Sequence, residues 1–294
     1  MTRDLRIDRR TVLSSMLALG AGIGPAAAQS GASALNLAMV AEPPTLDIQS
    51  TPADLVCIIM QHVYEPLFTF DAKAALVPML AESMPQISAD GKRYAITLRK
   101  GVNFHDGKPL TPADVVFSVM RHKDPATASK AKVLADQIDS VTASGPNEVT
   151  MVLSSPNADL PVILGTFHFH IVKEGTTDFS TGIGTGPYKL KEFKPGVRSL
   201  VVRNDSYWKP GRPFLDEIEF VGIGDESARV NALLSGGMDL VGSVNPRSVA
   251  RITGTPVGTV MSRLSRARER LRSLMETPAQ SAPAPASGHL RRLK

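Results

Sequence analysis

The chain has 294 residues, 43% hydrophobic and only 5% aromatic, enough to bury a real core as one large domain or two ordinary ones. A single cysteine, Cys57, excludes an internal disulfide framework, and a mean hydropathy of −0.02 points to a soluble protein. The net charge of +5 is unevenly placed: residues 251–294 carry +7 and residues 1–28 carry +2, which leaves −4 on the body between them. The pI near 9.4 is therefore no sign of a nucleic-acid partner for that body.

At the N-terminus, Arg9-Arg10 precedes an uncharged stretch from Thr11 to Ala26 that closes on Ala26-Ala27-Ala28. Small residues in that arrangement predict a signal peptide over residues 1–28, cleaved near Ala28. Its apolar core is too short to span a bilayer permanently. The paired arginines resemble the twin-arginine export signal, with an ordinary secretory signal as the alternative. No later stretch reaches membrane length, so the mature chain is expected to be periplasmic and not membrane-embedded.

Leu35 to Val40 alternates like a short strand and runs into Glu42-Pro43-Pro44-Thr45-Leu46-Asp47, which its prolines keep extended. Asp54 to Tyr64 is apolar at helical spacing, and Tyr94 to Leu98 alternates as a strand. Asp106-Gly107 predicts a tight turn within residues 101–109. Thr111-Pro112-Ala113-Asp114 reads as a helix start, with Thr as N-cap and Pro at the first helical position. Strands are expected at 148–153, 188–193 and 199–203, and a helix at 227–234. Without a regular βαβ repeat, the fold class is α+β (mixed α/β) rather than a doubly wound sheet.

Four landmarks in this stretch carry a resemblance. They are Ala41-Glu42-Pro43 with Leu46-Asp47 and then Tyr64-Glu65-Pro66-Leu67; residues 101–107 with 110–118; Gly184-Thr185-Gly186-Pro187-Tyr188-Lys189-Leu190; and Asn204-Asp205-Ser206-Tyr207-Trp208. In this order they resemble family 5 solute-binding proteins of peptide, nickel and oligopeptide ABC importers. The resemblance implies the first lobe of a two-lobed periplasmic binding protein, a peptide or similar small solute as ligand, and a membrane permease as partner. It also implies strand addition of the solute along extended backbone, here Glu42, Pro43, Pro44 and Thr45, with Tyr64 and the turn Gly184, Thr185, Gly186, Pro187 toward the cleft. Such receptors run to about twice the length of residues 35–250, so the second lobe is expected to be missing and solute binding impaired.

Nothing in the sequence calls for an enzyme, a cofactor or a metal. There is no Gly-x-Ser-x-Gly elbow, phosphate loop or zincin helix. His168-Phe169-His170 has ligand-like spacing but no third ligand in a motif, and reads as a strand with polar alternation.

After Arg247 the pattern changes. Thr255-Pro256 starts a helix whose Val257, Val260, Leu264, Ala267, Leu271 and Leu274 repeat at three and four, an amphipathic stripe beside basic residues. Residues 252–268 resemble the end of region 4 in extracytoplasmic-function sigma factors, which implies nucleic-acid contacts by Arg263, Arg266 and Arg270. The helix that should support it is only faintly echoed by Ser248–Ile252, so no specific nucleic acid is expected. The plan is then a signal peptide (1–28), a truncated receptor lobe (29–250), a sigma-like helix (251–276) and a disordered tail (277–294), a chimera joined near 248–252. The alternative function is a DNA-binding sigma factor fragment.

Overall fold

The computed structural model describes residues 33–50 and 54–276, so the expected signal peptide, its cleavage near Ala28 and the 277–294 tail lie outside the described residues. The first half of the chain forms β1 (Ala34–Met39), α1 (Asp54–Met60), β2 (Glu65–Pro66), β3 (Phe68–Phe70), β4 (Leu76–Pro78), β5 (Gln86–Ile87), β6 (Arg93–Thr97) and α2 (Pro112–Met120). Then come α3 (Lys132–Ala135), β7 (Ile138–Gly145), β8 (Glu148–Leu153), α4 (Leu160–Ile163), β9 (His170–Ile171), β10 (Tyr188–Lys194) and β11 (Arg198–Arg203). The chain continues through β12 (Glu217–Gly222), α5 (Glu226–Leu234), β13 (Leu240–Val241), α6 (Pro246–Thr253) and α7 (Val257–Glu276).

Two sheets organise two cores. In the first, the antiparallel order is β5-β6-β8-β7. Alternation turns Tyr94 and Ile96 of β6 and Val149, Met151 and Leu153 of β8 into a core shared with Val115 and Val119 of α2. In the second, the order is β10-β11-β12-β1-β13, with β1 parallel to both β12 and β13. Met39, Val201, Ile218 and Phe220 pack there on Val56, Ile59 and Met60 of α1. Phe220 is wholly buried, so its truncation to Ala would cost about 3–5 kcal/mol. The chain passes between cores twice, at Tyr64–Leu67 and at Ile171–Val172, and β2 pairs with β9 across that passage. The fold is mixed α+β, as the sequence implied.

The start of α2 follows from its residues. The Asp114 carboxylate accepts from the Thr111 N–H at 2.8 Å and its hydroxyl at 2.6 Å, while its second oxygen accepts from the Glu174 N–H at 2.8 Å. One side chain thus satisfies helix-end donors and a loop 60 residues away.

Three expectations need correction. The first helix stops at Met60, because Gln61–Val63 turn and present backbone to the 184–188 segment. His168-Phe169-His170 is not an alternating strand: Phe167–Phe169 is a 3-10 turn, and only His170–Ile171 pairs. The helix before Gly254 is complete, running Pro246–Thr253. It is capped by the Asn245 side chain, which accepts from the Arg247 and Ser248 N–H groups, and it ends at Gly254 in the left-handed conformation that glycine adopts without strain. Among the described residues no helix is long and apolar enough to cross a membrane.

Candidate functional site

The four landmarks meet in space. The Glu65 carboxylate is 1% exposed and takes three donors: the Thr185 hydroxyl at 2.9 Å, the Tyr207 hydroxyl at 2.6 Å and the Trp208 indole N–H at 2.9 Å. Burial pushes its pKa up, and these three bonds work against that shift. The Gly186 N–H donates to the Val63 carbonyl and the Tyr188 N–H to that of His62, so the segment lies flat on the turn after α1. A Cβ on Gly184 would stand 1.9 Å from the Val63 carbonyl oxygen, and one on Gly186 2.5 Å from that of His62. Only glycine lets the two backbones approach so closely.

His105, from the Asp-Gly turn, closes the same segment. Its Nε2 lies 3.0 Å from the Gly186 carbonyl, its Nδ1 lies 3.2 Å from the Gly182 carbonyl and 3.3 Å from the Gly184 nitrogen, and its own backbone N–H donates to the Gly184 carbonyl at 2.8 Å. Burial holds its pKa below the usual histidine range, and the Gly186 and Gly182 carbonyls work against that shift. Asn204 donates from its side-chain amide to the Gly186 carbonyl at 3.1 Å. Gly184, Thr185 and Gly186 are thus enclosed by the protein's own groups. Pro187, half-buried, lines a cavity of about 580 Å³ with His62 and Tyr207.

The Glu42–Thr45 segment divides. Glu42 and Pro43 are buried, with the Glu42 N–H side packed on Gly222, while Pro44 is exposed and Thr45 half-buried. Glu42 Oε1 accepts from the Ser199 hydroxyl, Oε2 has no hydrogen-bond partner, and burial pushes the carboxyl up to about 7. Pro44 and Thr45 open on a separate hollow of about 470 Å³ walled by Asp47, Ser50, Arg121, Asp178, Phe179 and Ser180. Arg121 grips Asp47 bidentately at 3.0 and 2.6 Å, donates to Gln49 Oε1 at 2.8 Å, and lies 4.5 Å from the Phe179 ring centre. Tyr64 is 1% exposed. Its hydroxyl has no hydrogen-bond partner, and its pKa is raised by burial first and then by Asp47.

The structure therefore brings Pro44 and Thr45 together with Asp47, Arg121 and Phe179, which the sequence did not single out as a group. Asp47 lies inside a quoted landmark, and that was the only available signal. Arg121 is 74 residues away, and the pairing exists only through the fold. Burial also lowers His122 and His170 to about 4, and no group of His, Cys, Asp and Glu among the described residues could hold a metal. On α7, Arg263, Arg266 and Arg270 are exposed, as is every residue from Met261 to Arg270. Val260 is buried where α7 packs on α6.

The family described as bacterial extracellular solute-binding proteins, family 5, middle, matches residues 75–278. The chain belongs to that family. The match runs past the junction expected at 248–252. The oligopeptide-binding protein AppA of Bacillus subtilis is 32% identical over 216 residues, 69% of this chain and 39% of its own length. The glutathione-binding protein GsiB of Escherichia coli K12 is 30% identical over 198 residues, 65% of this chain and 38% of its own. The chain thus spans less than half the length of these curated relatives. Among solved structures, the binding protein AgaA of A. tumefaciens R10 with agropinic acid superposes with a TM-score of 0.71 at 29% identity, covering 76% of this chain and 46% of that one. DppA of Helicobacter pylori with the peptide STSA gives 0.69 at 25% identity, covering 76% and 49%.

Proposed function

We propose that this chain is a periplasmic receptor lobe for a peptide or similar small solute, delivering it to an ABC permease, and that it is not an enzyme. The family match over residues 75–278 carries this reading. The relatives named for oligopeptide, glutathione and peptide binding indicate the solute class. Within the lobe, the surface that would meet solute is the hollow beside Pro44 and Thr45, where extended backbone lies next to Arg121, Asp178 and Ser180. Tyr64 and the Gly184–Pro187 turn would act from behind that surface, fixing the segments that flank it. Export would follow from the signal peptide over residues 1–28, of twin-arginine type.

Affinity in a two-lobed receptor comes from enclosing the solute and excluding water, and this chain covers 46–49% of the two structures above. The lobe alone is therefore expected to bind short peptides more weakly than about 10 μM. Isothermal titration of the purified protein with a mixed tri- to pentapeptide panel tests this. Weak saturable binding that is lost in Arg121→Ala supports the reading. Tight binding untouched by that change removes the hollow from it.

The second reading, DNA contact through Arg263, Arg266 and Arg270, draws on the resemblance of residues 252–268 and on the exposed arginines of α7. The chimera rests on the same resemblance. Retardation of a sigma-type promoter about tenfold better than scrambled DNA would favour it; equal, salt-sensitive retardation would mean charge alone.

A further inference from the structure

The cavity of about 580 Å³ is separate from the hollow at Thr45 and shares none of its walls. Its apolar walls are Leu35, Pro187, Pro213, Phe214, Leu215 and Ile218, and its polar rim is Tyr207, Lys209 and Arg212. Phe214 is 67% exposed, unusual for a large aromatic, and the Arg212 guanidinium lies 3.8 Å from its ring centre. Lys209 Nζ sits 4.8 Å from the Trp208 ring, with Arg99 4.6 Å from the same ring. The carboxylate acting on Lys209 is Glu65, already engaged by Thr185, Tyr207 and Trp208. The nearby Asp216 pairs with Arg203 at 2.7 Å. Lys209 thus has two further cations, Arg99 and Arg212, and one committed carboxylate acting on it, and Lys209 and Arg212 border an apolar cavity. Such a surface is short of negative charge and short of apolar cover at the same place.

We propose that this cavity binds an apolar carboxylate. Its hydrocarbon part would lie along Leu35, Phe214 and Ile218, and its carboxylate would take Arg212 and Lys209. The inference does not depend on the receptor reading. The carboxylate could be a free aliphatic acid or the C-terminus of a peptide with an apolar last residue, and the test separates them.

Trp208 is the only tryptophan in the chain, so its emission reports directly on the rim. The full chain would be titrated with hexanoate, with hexanamide, with N-acetyl-leucyl-leucine and with that peptide's C-terminal amide. A saturable emission change is expected with at least one carboxylate and at least about tenfold weaker binding of its amide. Hexanoate alone would identify a free acid, and the peptide alone a peptide C-terminus. Arg212→Ala and Lys209→Met should each weaken binding about tenfold while Arg212→Lys keeps most of it, with thermal melts of the three variants confirming folded protein. No saturable change with either carboxylate, equal binding of acid and amide, or native-like binding by the Arg212→Ala and Lys209→Met variants would overturn the proposal.

Discussion

The segment Gly184–Tyr188 and helix α7 are both motif-bearing stretches in the sequence, yet they end in opposite environments. The first is buried apart from half-buried Pro187, and its polar groups are met by Glu65, His105, Asn204 and the backbone of His62 and Val63. The second is exposed from Met261 to Arg270, and its side-chain hydrogen bonds, such as that from Arg266 Nε to the Ser262 carbonyl at 3.3 Å, stay within the helix. A run of recognisable residues says that a segment has a role, but not whether that role is to touch a ligand or to hold the lobe together. At Thr185, Tyr207 and Trp208 the hydrogen bonds to Glu65 run between residues more than a hundred positions apart and tie distant stretches of the lobe together.

The comparison predicts a steep gradient of mutational cost. Gly184→Ala should be the worst, because the new methyl, fixed by the backbone that carries it, meets the main-chain carbonyl oxygen of Val63 at 1.9 Å. A loss of more than about 4 kcal/mol is expected, seen in circular dichroism as little or no folded protein. Glu65→Ala follows. It strands the Thr185, Tyr207 and Trp208 donors in a buried site, at about 3–5 kcal/mol, and should lower Tm by about 10 °C.

Glu42→Gln should act in the opposite direction. The folded carboxyl gives up its proton only near pH 7, the unfolded one near 4.5, so the parent chain becomes less stable, relative to the variant, as pH rises through that window. The penalty is complete above about 7 and on the order of 3 kcal/mol at most. His122 and His170, held neutral down to about 4, favour the folded state as pH rises through the lower part of the same window, so only the difference between variant and parent isolates Glu42. Urea melts at pH 5 and pH 8 should show the variant's advantage at pH 8. An advantage equal at both would mean that Glu42 is not held protonated. Smallest of all, Leu264→Asp on α7 should change stability by less than about 0.5 kcal/mol, since Leu264 is 37% exposed. A larger loss in a urea melt would mean that the α7 stripe packs on the lobe.

How much was legible follows the same divide. Thr111-Pro112-Ala113-Asp114 announced α2 because its cap is made within four residues. Strands β8, β10 and β11 alternate on their own and were found. Strands β12 and β13 were not: their places come from parallel pairing with β1, at separations near 180 and 200 residues, which no local pattern encodes. The helix Pro246–Thr253 is longer than its Ser248–Ile252 echo because the Asn245 cap and Pro246 at the first turn start it earlier. At the candidate site the Pro44–Thr45 edge was readable from its prolines. Arg121 was invisible until the fold laid it on Asp47.

Hydrogen exchange of backbone amides, followed by mass spectrometry in the native protein, tests the central contrast most directly. The Gly186 and Tyr188 amides are bonded to Val63 and His62 inside the landmark network, so they should exchange only with global unfolding, together with the β8 core. Amides from Met261 to Arg270 should exchange orders of magnitude faster, through local fraying of an exposed helix. Rapid exchange at 186–188, with or without protection of α7, would contradict the account, because the landmark turn would then be an open loop at a cleft rather than the lock of the lobe.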